Sequence, residues 1–479
     1  MNSGMVIYML GYVCYFEAVF LTLPVIVAII YREAEGYAFF AVMLLCLVLG
    51  SLITRKKPKR QAMYSREGLV IVALSWIVLS VLGALPYLLS GDIPNVVNAL
   101  FETVSGFTTT GASILPDVEV LSKTSLFWRS FTHWIGGMGV LVFMLAILPA
   151  QAGAAGTHIM RAESTGPSVS KLVPKIRQTA KILYAIYLSM TVIAMVIFFI
   201  GGMPLFDAVT IAFSTAGTGG FAIRNSSMAE YSPFLQTAVA VFLFLFGISF
   251  QLYYLAFTKR IRQALRSTEL RVYVIIVIVA TTIISISIVP FFGTGSSAFQ
   301  HGFFQVASII TGTGYATFDY NTWPEICRTI LMVLMFCGAC AGSTSGGIKL
   351  SRLIILAKEI RSELGQLCHP RSIRKVWLDG RVIPPDVIRS IHVYLSIYVG
   401  VFAVSLLILS LDGRDMITNI TAIAANLNNV GPGFEVVGPT GNYENFTTLA
   451  KSVFMFDMIA GRLELIPILM LFTPRNWRR

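Results

Sequence analysis

Apolar residues in this chain fall in long unbroken runs, without the alternation of half-buried strands or the heptads of coiled coils. The runs cover about residues 5–30, 37–54, 68–90, 124–149, 181–201, 234–257, 272–292, 326–348, 391–411 and 447–472. Each is near the roughly 20 residues that a helix needs to cross about 30 Å of hydrocarbon. Lipid offers no partner to an unpaired backbone group, so runs of this length are read as helices. The pattern predicts an all-α polytopic membrane protein with ten candidate spans.

The polar connections alternate in character. Segments 55–67, 151–181, 258–271, 349–390 and the C-terminal tail carry 28 of the 36 Lys and Arg residues. Cytoplasmic loops are the ones enriched in these residues. Both termini are therefore expected inside, as an even number of spans requires. No Lys or Arg precedes Arg32 and no small-residue cleavage site follows the first run, so that run is expected to remain as a helix.

From residue 68 onward the outer segments are too apolar and too long to be plain loops. They read NALFETVSGFTTTGAS (98–113), DAVTIAFSTAGTGGFA (207–222), HGFFQVASIITGTGYA (301–316) and TNITAIAANLNNVGPGF (418–434). Aligned on Ser105, Ser214, Ser308 and Ala425, each carries a glycine six positions on: Gly111, Gly220, Gly314 and Gly431. Helix, re-entrant pore helix, glycine turn and helix thus recur four times. Non-helical backbone at membrane depth is tolerated where it lines a wet cavity, and glycine leaves its carbonyls unobstructed. Four such turns around one axis would make a ring of carbonyls able to replace the water around a cation, as the carbonyls of potassium filters do. The short helices would direct their negative dipole ends to the same point. The candidate filter residues are Thr109, Thr110 and Gly111; Thr218, Gly219 and Gly220; Gly312, Thr313 and Gly314; and Asn429, Val430 and Gly431. The alternative is a set of interfacial loops with turn glycines.

Composition sharpens this picture. Of 479 residues, 56% are apolar and 13% charged, which disfavours a large soluble enzyme. The formal charge of +12 divides by side. The inner segments hold 28 basic against seven acidic residues, a net +21, and the outer segments seven against fourteen, a net −7. Nucleic-acid binding is excluded as an explanation because no soluble basic domain is present. A negative outer face would concentrate cations. The six cysteines are read as small buried fillers rather than a disulfide framework.

Two further features stand out. GACAGSTSGGIK places Gly338, Gly342, Gly346 and Gly347 inside the eighth run, and glycine weakens a helix, so a break there is expected. Close helix packing through small residues is the alternative, and the segment lacks the Gly-Lys-Ser/Thr end of a phosphate loop. Arg462 lies inside the last run, where a charge costs about 2.5–3.5 kcal/mol on insertion scales. It marks either a functional site or a buried ion pair with Asp457 or Glu464. Scattered histidines, with no H-E-x-x-H or G-x-S-x-G, make an enzyme unexpected. A secondary transporter with broken helices would predict two inverted halves rather than four like-oriented units.

The four turns, together with GACAGSTSGGIKLSR at 338–352 and GRLELIPIL at 461–469, resemble the Trk/Ktr/HKT superfamily of potassium uptake proteins. The resemblance spans residues 68–474, and the two extra N-terminal spans are similar to the TrkH/TrkG branch. It implies two accessory helices within 1–54 and pore repeats at 68–149, 181–262, 270–360 and 390–474, set around one pore. It also implies a potassium preference, because Gly111 stands where a serine favours sodium in this family. By the same resemblance, Gly338, Gly342, Ser343, Thr344, Ser345, Gly346 and Gly347 form an intramembrane gate, with Arg462 in the pore below the filter. A homodimer, a prokaryotic inner membrane and a cytosolic nucleotide-binding regulatory ring of the TrkA type are implied too. No G-x-G-x-x-G unit occurs here and no cofactor is expected, so nucleotide sensing would come from the partner. The 349–390 segment could dock that partner or face anionic lipid.

Overall fold

The structure is a computed structural model that describes residues 2–58, 64–139, 176–369 and 375–473. An N-terminal hairpin of α1 (Ser3–Tyr31) and α2 (Gly36–Thr54) precedes four units of similar build. The first comprises α3 (Ser65–Ser90), α4 (Val96–Phe107) and α5 (Lys123–Met138). The second comprises α6 (Ile176–Ile200), α7 (Leu205–Gly217), α8 (Pro233–Phe246), α9 (Phe250–Phe257) and α10 (Ile261–Leu265). The third is α11 (Thr268–Phe292), α12 (Gly295–Ile310), α13 (Glu325–Phe336) and α14 (Leu350–Cys368). The fourth is α15 (Pro385–Leu409), α16 (Met416–Leu427), α17 (Thr448–Arg462) and α18 (Ile466–Leu471). Each unit runs long helix, short helix, glycine turn, second helix.

Local sequence sets the starts of these elements. Asn95, Thr294 and Asp415 cap three of the short helices through their side-chain oxygens. Ser122, Ser232 and Thr447 do the same for the returning helices α5, α8 and α17. Gly11 and Gly50 let α1 and α2 approach closely: a Cβ on Gly11 would lie 2.7 Å from the Thr54 methyl. One core cluster joins α1–α5 to α15–α18, and the second and third units form their own. Exposed Ile26, Ile29, Leu52, Ile278 and Leu407 face outward, as expected of a lipid-facing surface.

The ten runs do not all become continuous spans. Six helices among the described residues are long and apolar enough to cross a membrane: α1, α2, α3, α6, α11 and α15. The run at 234–257 is bent by 89° between α8 and α9. The runs at 326–348 and 447–472 lose helical form after Phe336 and Arg462. Of 124–149, helix α5 covers the part to Met138, and 140–149 lie outside the described residues. So do 151–175 of the second basic segment, Lys59 and Arg60, Arg371 and Arg374, and the tail arginines. The break after Phe336 is the one its glycines predict, whereas hydropathy does not register the bend between α8 and α9, where the sequence stays apolar.

All six cysteines are free thiols, and all but Cys368 and the half-buried Cys337 are buried. Cys337 lies in a short strand and Cys340 in irregular backbone, not on one helix face. Two of the basic residues assigned to the 349–390 connection, Lys349 and Arg352, are buried in the protein.

Candidate ion filter and the belt beneath it

The four glycine turns share one backbone geometry. Thr109, Thr218, Gly312 and Asn429 have φ of 55°, 53°, 69° and 54°. Two residues on, Gly111, Gly220, Gly314 and Gly431 have φ of 79°, 85°, 82° and 91°. The hydrogen bonds repeat as well. Thr110, Gly219, Thr313 and Val430 donate their N–H to Ser105, Ser214, Ser308 and Ala425 carbonyls at 2.9, 2.9, 2.8 and 2.7 Å. These bonds satisfy carbonyls that the ends of α4, α7, α12 and α16 would otherwise orphan. The repeat fixes Gly220, rather than Gly219, as the second unit's equivalent glycine.

The turns close on one another in a ring. A Cβ on Gly111 would lie 2.0 Å from the Gly219 carbonyl oxygen, and one on Gly220 would lie 1.8 Å from that of Thr313. On Gly314 it would meet Val430 oxygen at 2.2 Å, and on Gly431 Thr110 oxygen at 2.5 Å. Unit one therefore abuts two, two abuts three, three abuts four, and four returns to one. In each case the neighbouring oxygen belongs to the residue just before that unit's own glycine. An open cavity of about 150 Å³ covers the ring and touches all four glycines.

Side chains brace this ring from behind. Thr108 and Thr110 hydroxyls pair at 2.8 Å, as do those of Thr311 and Thr313. Asn429 Nδ2 donates to Thr110 Oγ1 and to the Met458 carbonyl, both at 2.9 Å. Phe221 N–H donates to His133 Nε2 at 3.2 Å, so His133 Nδ1 carries the proton it gives to the Gly106 carbonyl at 2.7 Å. Arg129 and Glu102 form a buried ion pair at 2.7 Å. Glu102 also accepts from Ile114 N–H, and Arg129 donates to the Ala222 carbonyl and covers the Phe221 ring. By sequence, Arg129 and Glu102 counted among outer charges and His133 among scattered histidines. Only their periodicity in α4 and α5 could have placed them inward.

Beneath the ring lies a belt of interrupted backbone. The segment between α13 and α14 is a buried loop, as its glycines predict. It is closed by parallel pairing of Cys337–Gly338 with Ile348–Lys349. A Cβ on Gly338 would meet the Gly346 carbonyl, and one on Gly346 the Asn428 carbonyl, so the loop presses on the fourth turn from below. Gly342 and Gly347 take φ of 76° and 73°. Ser343 donates to the Cys340 carbonyl at 2.6 Å, and Ser345 Oγ accepts from Ala339 N–H at 3.3 Å. Cys340 N–H donates to the Gly247 carbonyl at 3.1 Å, and Phe250 N–H to Gly342 at 3.0 Å, so the loop docks into the α8–α9 break. Arg462 donates to the Thr344 carbonyl at 2.9 Å and to the carbonyls of Gly136 and Gly137. Of the two acidic residues nearby in sequence, Glu464 pairs with Arg352, and Asp457 accepts from Ser405 at 2.8 Å.

This fold and site define a polytopic α-helical membrane protein built from four like units whose turns meet in one ring. A family model described as a cation transport protein, TrkH, matches residues 35–479. The chain is 36% identical over 465 residues to the Trk system potassium uptake protein TrkH of Escherichia coli K12, covering 95% of each. It is 33% identical over 481 residues to TrkG of the same organism, covering 99% of this chain and 98% of that one. The crystal structure of the potassium transporter TrkH from Vibrio parahaemolyticus matches all of both chains at TM-score 0.88 and 32% identity. The chain belongs to the TrkH family.

Proposed function

We propose that this chain takes up potassium by selective, gated permeation through the ring of four turns. The observation that carries the reading is the closed cycle of glycine–carbonyl contacts, from Gly111 through Gly220, Gly314 and Gly431. Positive φ alternates along each turn, a conformation that lets main-chain oxygens take the place of an ion's hydration shell. The names of the relatives, all potassium uptake proteins, support potassium as the ion. The filter comprises residues 109–111, 218–220, 312–314 and 429–431. The loop 338–347 with Arg462 is the gate, supported by its position under the fourth turn and by the fixed positive charge there. A broken-helix solute carrier gains no support, since no pair of inverted halves is evident in the four like units.

The pore repeats occupy 68–149, 181–262, 270–360 and 390–474, with 1–54 as accessory helices. The protein works as a homodimer in the bacterial inner membrane with both termini cytoplasmic, the orientation that the basic segments favour. A cytosolic nucleotide-binding ring regulates it, for which the basic 349–390 region is the candidate docking surface. The chain performs no chemistry of its own on substrate. Purified protein in liposomes tests the reading: rubidium flux should exceed sodium flux. Absent rubidium flux, or sodium flux equal to it, would overturn it.

A further inference from the structure

One carboxylate ties the middle of the loop between α13 and α14 to the start of α14. Glu269, in the first turn of α11, accepts from Ala341 N–H at 2.7 Å and from Ser351 N–H at 3.0 Å through the same oxygen. Ala341 lies in the middle of the loop, and Ser351 opens α14 just beyond it. The carboxylate thus ties the irregular backbone to the N-terminal end of a helix, where a negative charge is favoured. Lys349, buried beside them, donates to the Ser345 carbonyl within the loop.

The neighbouring residue is clamped from the other side. Thr268 gives both its N–H and its hydroxyl to Asp379 Oδ1, at 2.8 and 2.6 Å. Asp379 sits at the tip of a two-stranded hairpin, Trp377–Leu378 with Arg381–Val382. Lys358 of α14 donates to the Trp377 carbonyl at 2.8 Å. Consecutive residues of one helical turn therefore hold an exposed hairpin and a buried loop. Neither hold depends on the filter.

We infer that Glu269 is a positioning residue that latches the 338–347 loop in its docked state, with the Asp379–Thr268 clamp fixing the turn that carries it. The inference rests on the gate reading only for its effect on flux. The latch itself is a property of the loop and can be read without transport. Charge-assisted bonds to backbone N–H groups are among the stronger ones, so losing two at once should free the loop appreciably.

Cys340 supplies the readout, since it is buried in the loop and its N–H holds the Gly247 carbonyl. The full-length protein is prepared with Cys340 as its sole cysteine, and the rate of modification by a water-soluble thiol reagent is measured. Glu269→Gln should raise that rate about tenfold or more. Glu269→Asp should restore part of the protection, and exposed Asp379→Ala should raise the rate less but in the same direction. A parallel protein with Cys46 alone, buried between α1 and α2, separates loop opening from general loosening. Its rate should not change. An unchanged Cys340 rate in both Glu269→Gln and Asp379→Ala, or an equal rise at Cys46, overturns the latch. In liposomes Glu269→Gln should raise resting rubidium flux with the rubidium-to-sodium ratio preserved. A faster Cys340 with unaltered flux upholds the latch and refutes the gate reading.

Discussion

Replacing Gly111 by serine tests the ring directly, and Gly431→Ser provides its internal control. Both glycines have positive φ, 79° and 91°, so a side chain brings a similar backbone strain to each, of order 1–2 kcal/mol. What differs is the carbonyl ahead. A Cβ at 111 would lie 2.0 Å from Gly219 oxygen, whereas at 431 it would lie 2.5 Å from Thr110 oxygen. Real Cβ contacts essentially never fall below 3.0 Å, so the first oxygen must retreat by at least about 1 Å and the second by at least about 0.5 Å. Binding constellations tolerate roughly 0.5 Å of misplacement. Gly111→Ser should therefore cost at least about 1.4 kcal/mol of discrimination, a tenfold fall in the rubidium-to-sodium flux ratio. Gly431→Ser should cost only about two- to threefold, near the tolerance limit. The assay is paired rubidium and sodium flux in liposomes, with protein recovery matched. Equal losses in the two variants, or a larger loss at 431, would refute the argument from ring spacing.

Arg462→Ala should raise flux while leaving selectivity intact. At an effective dielectric near 20 two unit charges interact by about 4 kcal/mol at about 4 Å, falling inversely with distance, so on the proposed gate reading the gain should be about tenfold or more, and Arg462→Lys should retain the barrier. Flux unchanged in well-folded Arg462→Ala protein would remove that role. Breaking the buried pair through Glu102→Gln or Arg129→Gln should each lower stability by about 3–5 kcal/mol, read as thermal unfolding in detergent. The Glu102→Met/Arg129→Met double variant should recover part of that loss, because no lone charge stays buried. In the segment between α7 and α8, a hydrogen bond from Ser226, and then the Arg224 partner, hold the Glu230 carboxyl below its ordinary range. Its contribution is present above that range and lost only as pH falls through the lowered value. Ser226→Ala should move the onset of acid loss to higher pH in a thermal-shift titration, and an unmoved onset would count against the bond.

The glycine turns were legible because their requirement is local. A residue that must take positive φ and also admit a neighbouring carbonyl can only be glycine, and no lipid-facing span would repeat it at the same offset four times. The Gly338–Gly347 break was legible for a similar reason, the density of helix-weakening residues. The bends after Phe246 and Arg462 were not. VFLFLFGISFQLYYLAF carries a single glycine in an apolar run, and its break is stabilised by Cys340 and Gly342 from another unit. The second bend puts Glu464 and Leu465 at positive φ, 56° and 68°, with nothing in their identity to require it. Charge bookkeeping likewise sorted Lys349, Arg129 and Glu102 by position in sequence, whereas tertiary packing buries all three.

The breaks explain one another once their backbone groups are followed. A helix interrupted at membrane depth leaves carbonyls and N–H groups that lipid cannot satisfy. Here they are satisfied across units. Gly247 of the second unit receives Cys340 of the third, and Gly342 of the third receives Phe250 of the second. Arg462 of the fourth reaches Thr344 of the third and Gly136 and Gly137 of the first. A single arginine thus joins three of the four units directly below the ring. Its burial is compensated by carbonyls that the breaks themselves expose, which is why a charge that is costly in an apolar helix can be accommodated at this position. Moving the loop would strip Arg462 of its Thr344 partner while leaving the Gly136 and Gly137 contacts in place. On the proposed gate reading, the belt is held together at the same contacts that would have to part for an ion to pass.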